Sequence, residues 1–196
     1  AHVHADLIFG LPGETLASFA EGFDRLYMLA PHEIQFGILK RLRGTPITRH
    51  TAEFAMAYDP HTPYTILQNS TVDFATMQRI KRFARYWDMV ANSGRFAVSL
   101  DLLLALGSAF GHFLAFSDWL WQTTGKTHEF ALEKLVDLLF AHLTQVRLLD
   151  PQRVCAALLA DYQASGARGR PQCLAAVLGG PQKALSAAAA LHGARR

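Results

Sequence analysis

The hydrophobic pattern of the first forty residues predicts a strand, a helix and a second strand. Residues 3–9 form a short apolar run around Asp6, as expected of a buried strand. Over residues 16–30 apolar side chains recur every three or four positions, which gives a helix one apolar face, and Thr15 can cap that helix. In residues 33–39 apolar and polar side chains alternate, which predicts the second strand.

A strand, a helix and a strand within some forty residues indicate a βαβ unit with parallel strands. Parallel strands are normally buried within a larger sheet, which two strands alone cannot build. No later segment has the pattern of a strand. We therefore expect the remaining strands upstream of Ala1 or in another chain, and the start at Ala1 rather than Met also suggests preceding sequence.

The rest of the chain is predicted to be helical after a long connection. Residues 40–69 are rich in turn residues and basic charge, with a candidate short helix at 51–58. Asp73 or Ser70 can cap the first long helix, Gly94 can end it, and Thr127 can cap a later one. The predicted helices are 73–93, 98–107, 109–123, 127–143 and 151–162, with less regular candidates at 171–178 and 181–192.

Composition and charge exclude several classes of protein. Hydrophobic residues make up 51% of the 196 residues and charged residues 18%, which indicates a large core or a surface hidden against another part. A net charge of +3 is too small to indicate a nucleic-acid binder. With no signal peptide and no apolar run long enough to span a bilayer, we expect a cytoplasmic protein without a membrane partner.

Other chemistry-bearing residues have ordinary interpretations. The histidines lack the spacing to carboxylates or to each other that a metal site needs, so no metal site is predicted. Cys155 and Cys173 are predicted to be simple thiols. Arg79, Arg82 and Arg85 are expected on a solvated helix face, and a basic tail follows Asp161.

The most specific motif follows the first strand, which ends in a Gly-Leu-Pro-Gly-Glu segment and passes directly into a helix. This arrangement resembles the fifth strand of radical S-adenosylmethionine (SAM) enzymes. In that family an apolar residue is followed by a glycine two positions on and a glutamate four further. Ile8, Gly10 and Glu14 match this pattern, whereas Asp6 stands where many members have glycine. Glu14 is also an ordinary residue at a helix start.

Later segments extend the resemblance over residues 3–146. Residues 35–39 and the Gly44-Thr45-Pro46 segment look like the family's sixth strand and the loop that follows it. Residues 73–96 are similar to a helical C-terminal domain of unknown function. In bacteria that domain follows a cobalamin-binding domain and a radical SAM domain.

The resemblance implies an iron–sulfur, SAM-dependent oxidoreductase or a cobalamin-dependent methyltransferase that acts on a small-molecule substrate. In the family a partial parallel barrel holds a 4Fe–4S cluster on three cysteines, and SAM yields a 5′-deoxyadenosyl radical or a methyl group for cobalamin. SAM is expected beside the strand ends, where barrel enzymes place their sites. The residues expected to contact SAM are Ile8, Gly10, Leu11, Pro12, Gly13, Phe36, Ile38 and Leu39.

The resemblance also bears on anion binding and on cluster ligation by this chain. Lys40 and Arg43 follow the second strand and could contact the SAM carboxylate or a substrate anion, and a solvated basic loop is the more ordinary alternative. The family's Cys-x3-Cys-x2-Cys motif is absent, so this chain cannot ligate the cluster by that route. We expect the upstream part of the same polypeptide to provide the cluster and any cobalamin, and the fragment alone not to bind these cofactors fully.

The predicted fold is an α/β remnant followed by an all-α part. One parallel βαβ unit, the last strands of a partial TIM-like barrel, precedes a mainly helical domain. The predicted boundaries are 1–48 for the barrel end, 49–70 for a connecting loop, 71–163 for the helical domain and 164–196 for a Gly/Ala/Arg-rich tail.

Two other interpretations stay open. The chain could be a stand-alone helical interaction module, in which the first forty residues have no SAM chemistry. It could also be a coproporphyrinogen-oxidase-like radical SAM protein, whose fifth strand reads Asp-Leu-Ile followed by Gly-Leu-Pro-Gly. The Arg85-Tyr86-Trp87-Asp88 segment argues against the second of these.

Overall fold

A computed structural model describes residues 3–178 of the chain. It divides into two compact units, one ending at His128 and one beginning at Glu129. The first unit contains a two-stranded parallel sheet and helices, and the second is helical, which confirms the predicted fold class. The domain boundaries at residues 48, 70 and 163 stay predictions.

The first unit contains four strands and four α-helices among its described residues. In chain order they are β1 (His4–Phe9), α1 (Leu16–Met28), β2 (Glu33–Ile38), β3 (Ala57–Tyr58), β4 (Ile66–Gln68), α2 (Phe74–Trp87), α3 (Ala97–Leu104) and α4 (Ala109–Thr124). A 3₁₀ turn, Pro46–His50, lies between β2 and β3, and a π-helical turn, Asp88–Asn92, follows α2.

Strands β1 and β2 pair in parallel, as predicted, with His4 opposite Glu33 and Phe9 opposite Ile38. Helix α1 makes the connection between them. Thr15 caps it as predicted: its hydroxyl accepts from the Ser18 N–H at 3.1 Å, and the Ser18 hydroxyl accepts from the Thr15 N–H at 3.0 Å. This reciprocal cap satisfies two N–H groups that the first helical turn leaves free.

Aromatic rings fill the core between α1, the sheet and the later helices. Phe23 of α1 lies with its ring centroid 5.6 Å from that of Phe83 and 4.9 Å from that of Trp87, both edge to face. Such contacts add to the stabilisation that burial of the ring area provides. The buried rings of this aromatic cluster are Phe9, Phe19, Phe23, Phe36, Phe83, Trp87, Phe110 and Phe113.

The two edges of the parallel sheet differ. The Ile34 carbonyl of β2 accepts hydrogen bonds from the Trp87 indole N–H at 3.1 Å and the Asn92 amide at 3.0 Å, so side chains of α2 and of the π-helical turn cover this strand at Ile34. Strand β1 pairs only with β2 within residues 3–178. This chain therefore covers β2 at Ile34, whereas β1 has no second partner strand among the described residues.

Two expectations for the connection after β2 are wrong. Strands β3 and β4 form a short antiparallel pair, although no later strand was expected. The candidate helix at 51–58 is a turn that leads into β3, with Ala55 at φ 46°. Strands of two and three residues are too short to give a period-two signal, and a long-range pairing decides their conformation.

Helix α2 begins where the sequence places it. The Asp73 carboxylate accepts from the Thr76 N–H at 2.8 Å, which identifies Asp73 rather than Ser70 as the cap. The α-helix ends earlier than predicted, at Trp87, and continues as the π-helical turn. Gly94 then adopts φ 67°, the left-handed conformation expected at a helix end.

The second unit contains α5 (Leu132–Ala141), α6 (Pro151–Ala164) and the short α7 (Ala175–Leu178). A π-helical turn (His142–Val146) extends α5, and a 3₁₀ turn (Gln172–Leu174) precedes α7. Thr127 is not a cap, because α5 starts five residues later, after Ala131. The predicted helix at 181–192 and the charged residues of the tail from Lys183 onward lie outside the described residues.

No helix among residues 3–178 is long and apolar enough to cross a bilayer alone. Helices α3 and α4 are long and apolar enough only when they are taken together, and the chain bends by 104° between them.

Substitution of Phe83 measures how much the aromatic cluster contributes to stability. We expect Phe83→Ala to lower the free energy of unfolding by about 3–5 kcal/mol, because it removes a fully buried ring and leaves a cavity. Phe74→Ala on the same helix is the control. Its ring is 51% exposed, so urea denaturation should show a change within about 0.5 kcal/mol. Equal losses in the two variants would contradict this assignment of the core.

We expect His142 to make the stability of the protein depend on pH. The side chain is fully buried in the second unit, and burial together with the positive charge of Arg147 lowers its pKa to about 4. Between that value and the ordinary pKa of about 6.5, the unfolded chain binds a proton that the folded chain does not. Lowering the pH through this window should therefore favour unfolding, by at most on the order of 3 kcal/mol.

The substitution His142→Leu removes the titrating group. We expect the difference between urea midpoints measured at neutral pH and at about pH 5 to shrink in this variant. His128→Leu is the matched control, since it removes an exposed imidazole and leaves His142 in place. An unchanged pH dependence in the His142 variant would exclude this group as the cause.

Candidate functional site

Among the described residues of the first unit, no helix covers one face of the β1–β2 sheet. Helix α1 and the aromatic cluster pack on the other face. The open face presents three registered pairs of residues: His4 with Glu33, Asp6 with Gln35, and Ile8 with Gly37. Together with Asp88, residues of this face line a concave space of about 500 Å³.

The open face combines polar and apolar groups. At its start His4 Nδ1 lies 2.8 Å from a carboxylate oxygen of Glu33, so these two form an ion pair when the histidine is protonated. Asp6 is exposed next to Gln35. At its end Ile8 is 46% exposed beside Gly37, which has no side chain. This end therefore offers a flat apolar surface with hydrogen-bonding groups beside it.

Local packing does not require a glycine at position 37. A Cβ at this position would lie 3.5 Å from the Leu7 carbonyl oxygen and 3.9 Å from the Ile8 side chain, which are ordinary contacts. The missing side chain therefore leaves the open face flat without any demand from local packing. Such a position is typical of a site where a ligand or another backbone approaches closely.

Gly10 begins the turn after β1 and must be glycine. Its φ of 98° is outside the range of ordinary side chains, and a Cβ would lie 2.9 Å from Ile66 Cγ2. The Glu14 carboxylate accepts from the Gly10 N–H at 3.2 Å. Burial raises the pKa of Glu14, and hydrogen bonds from the backbone of Gly10 and Leu11 offset part of that rise. The Glu14 side chain thus stabilises the turn by a hydrogen bond to its first residue.

Asn69 fixes the turn to the segment before α2. Its side-chain amide donates to the Gly10 carbonyl at 3.3 Å, and its carbonyl oxygen accepts from the Val72 N–H at 2.8 Å. The Thr71 hydroxyl donates to the Glu14 carbonyl. Asn69 is buried and was not predicted, because an asparagine in a loop has no sequence signal that separates this role from an ordinary turn.

The residues predicted to contact SAM do not share one surface. Only Ile8 has its side chain on the open face. Phe36 lies in the aromatic cluster, and Leu39 is buried with its N–H donated to the Phe9 carbonyl. Ile38 lines a different cavity. Gly10, Leu11, Pro12 and Gly13 form the turn described above. SAM contact by these residues stays a prediction.

A larger cleft of about 740 Å³ lies between the end of β2 and helix α2. Its apolar lining comes from Phe36, Ile38, Pro63, Ala84 and Trp121. Its cations are Lys40, Lys81, Arg82 and Arg85. Of the two predicted anion contacts, Lys40 belongs to this basic cleft, whereas Arg43 lines a separate space of about 340 Å³ with Arg41 and Tyr64.

The described part of the chain, residues 3–178, has no group of three or more His, Cys, Asp or Glu side chains placed to hold a metal ion. Cys155 and Cys173 both lie in the second unit as free thiols. Burial and the nearby Asp137 carboxylate raise the pKa of Cys173 to about 12, which keeps it protonated. A protonated thiol is a poor metal ligand.

Comparison with known families finds a match over the later part of the chain. Residues 52–186 match the family described as "Protein of unknown function (DUF4080)". No curated protein and no solved structure matches the sequence. The match begins in the connection between β2 and β3 and, within the described residues, includes the helices from α2 to α7. Because it covers more than half of the 196 residues, this chain belongs to the DUF4080 family.

Proposed function

We propose that this chain is the C-terminal part of a radical SAM iron–sulfur enzyme, either an oxidoreductase or a cobalamin-dependent methyltransferase. The upstream part of the same polypeptide would supply the cluster-binding half of the barrel and any cobalamin-binding domain. The fragment by itself would not be a complete catalyst.

The observation that carries this proposal is the asymmetry of the β1–β2 sheet. Parallel strands are normally found inside larger sheets with both faces covered. Here α1 and the aromatic cluster cover one face, Trp87 and Asn92 bond to β2 at Ile34, and β1 pairs only with β2 within residues 3–178. An unpaired strand edge beside an open face is what the last two strands of an interrupted barrel would present.

The extent of the family match supports the same interpretation. The match starts at residue 52 and leaves the βαβ unit outside. If the βαβ unit is not part of the DUF4080 domain, it would be the end of a separate domain that precedes it. The Gly-Leu-Pro-Gly-Glu turn, with the positive φ of Gly10 and the internal hydrogen bond of Glu14, fits the fifth strand of the radical SAM fold.

The residues present fit SAM but not the cluster. Ile8 and Gly37 offer a flat apolar area of the kind an adenine ring would cover, and Asp6 and Gln35 offer hydrogen-bonding groups beside it. For a 4Fe–4S cluster the described residues hold no suitable group of ligands. We therefore assign cluster ligation to the upstream part of the polypeptide.

This chain's share of the chemistry would be binding and orientation. When bound, SAM would supply a radical or a methyl group, and the protein would position the substrate and exclude side reactions. The open face would hold the adenine beside Ile8. The Gly10 turn, tied down by Asn69 and Glu14, would keep the end of β1 rigid while it does so.

The helical part would shape access to the site from the side of β2. Trp87 and Asn92 bond to the Ile34 carbonyl and place helix α2 along this strand. Exchange of residues 71–149 for those of another family member should therefore change substrate handling in the full enzyme. No change in substrate range would contradict this role.

The first test is the composition and activity of the intact gene product, purified without oxygen. We expect iron and acid-labile sulfide, with or without cobalamin, and turnover of SAM to 5′-deoxyadenosine or S-adenosylhomocysteine. The product identifies which chemistry operates. A native gene product without iron would overturn the proposal and leave a helical interaction module.

Ile8→Glu in the intact protein tests the open face. A carboxylate on the flat area would repel the adenine, so we expect the KM for SAM to rise by about tenfold or more while iron content is unchanged. Val98→Glu on α3 is the control, because Val98 has a similar exposure of 47% and belongs to neither strand of the sheet. Equal effects of both substitutions would exclude a specific role for this face.

A further inference from the structure

The basic cleft between β2 and α2 concentrates positive charge. Lys40, Lys81, Arg82 and Arg85 line it together with one acidic residue, Asp88. Within residues 3–178 none of these four cations forms an ion pair within 4.0 Å. Like charges that share a concave space repel one another, so such a site gains stability when an anion binds.

Arg79 shows that the charges along α2 are compensated to different degrees. It lies on the same helix and forms a bidentate pair with Asp118, with nitrogen–oxygen distances of 2.6–3.0 Å. Its charge is therefore paired, while the side chain stays 39% exposed on the helix face expected from the sequence. The neighbouring Arg82 and Arg85 have no comparable carboxylate in the described part of the chain.

Arg82 is held in place while one of its donors stays unused. Its guanidinium lies 4.9 Å from the centre of the Trp121 ring, a cation–π contact that fixes the side chain. Its Nε atom is buried and has no hydrogen-bond partner within the described residues. A buried donor without a partner calls for an explanation, and an absent acceptor is one.

The cleft also has an apolar floor and the size of a ligand site. Phe36, Ile38, Pro63 and Ala84 contribute apolar surface next to the cations. The volume of about 740 Å³ is in the usual range for small-molecule sites, which are mostly apolar with a few polar groups that fix orientation. An inorganic ion alone would leave most of this surface uncovered.

We propose that the basic cleft binds a phosphorylated small molecule whose remaining body is apolar or aromatic. Arginine presents planar pairs of donors that suit phosphate oxygens, and lysine adds compact positive charge. The phosphate group would lie near Arg82, Arg85 and Lys81, and the apolar body would cover Phe36 and Ile38.

The position of the cleft connects it to the proposed enzyme. Phe36, Gly37 and Asp88 line both the cleft and the space over the open face, so the two are neighbours. If the radical SAM proposal holds, this inference names its substrate class. Binding depends only on residues of the first unit, so it can succeed or fail independently of the cluster chemistry.

Binding is tested by titration calorimetry on the purified chain, with 1-naphthyl phosphate as the probe. We expect one site per chain, weaker binding at raised salt because the attraction is electrostatic, and much weaker binding of uncharged 1-naphthol. Inorganic phosphate should bind less tightly than the naphthyl ester. No detectable binding of the ester, or equal binding of naphthol, would overturn the proposal.

A pair of double substitutions separates the cleft from general surface charge. Lys81→Gln with Arg85→Gln removes two exposed cations of the cleft, and we expect the affinity to fall by about tenfold or more. Arg25→Gln with Arg95→Gln removes the same charge from exposed positions outside it and should leave the affinity within about twofold. Circular dichroism confirms folding of both. Equal loss in the two variants would overturn the cleft as the site.

Discussion

The aromatic cluster is the interaction on which the first unit depends. Phe83 of α2 lies at its centre, with its ring centroid 5.1 Å from that of Phe36, 5.6 Å from Phe23 and 4.9 Å from Phe110. These rings come from β2, α1 and α4, so a single residue of α2 connects all three elements. Because buried aromatic rings pack in few orientations, the cluster sets the position of the βαβ unit against the helices as well as its stability.

Two features that bear on function follow from that position. Trp87 contributes its ring to the cluster and its N–H to the Ile34 carbonyl, so the packing that fixes α2 also covers the outer side of β2. The remaining face and the β1 edge stay available. Arg82 and Arg85, on the same turns of α2 as Phe83 and Trp87, line the basic cleft together with the end of β2. The open face and the cleft are thus two results of one packing arrangement.

The sequence predicts what depends on neighbouring residues and misses what depends on distant ones. The parallel βαβ unit, the Thr15 and Asp73 caps and the Gly94 helix end arise from periodicity and local hydrogen bonds, and the structure confirms them. Strands β3 and β4 need a partner across a loop, which no short window shows. The role of Asn69 depends on the Gly10 carbonyl, 59 residues away, so residue type alone could not reveal it.

The arginines of α2 show why charge patterns on a helix leave function undecided. Arg79, Arg82 and Arg85 recur every three residues, and from the sequence they are equivalent members of one exposed face. In the structure Asp118 of α4 neutralises Arg79, while Trp121, three residues further along α4, holds Arg82 without neutralising it. One helical turn of α4 therefore converts a uniform stripe into a structural ion pair and a fixed, uncompensated cation. That difference follows from the contact between α2 and α4. It leaves the charges of Arg82 and Arg85 without a paired carboxylate among the described residues, in the cleft at the end of β2.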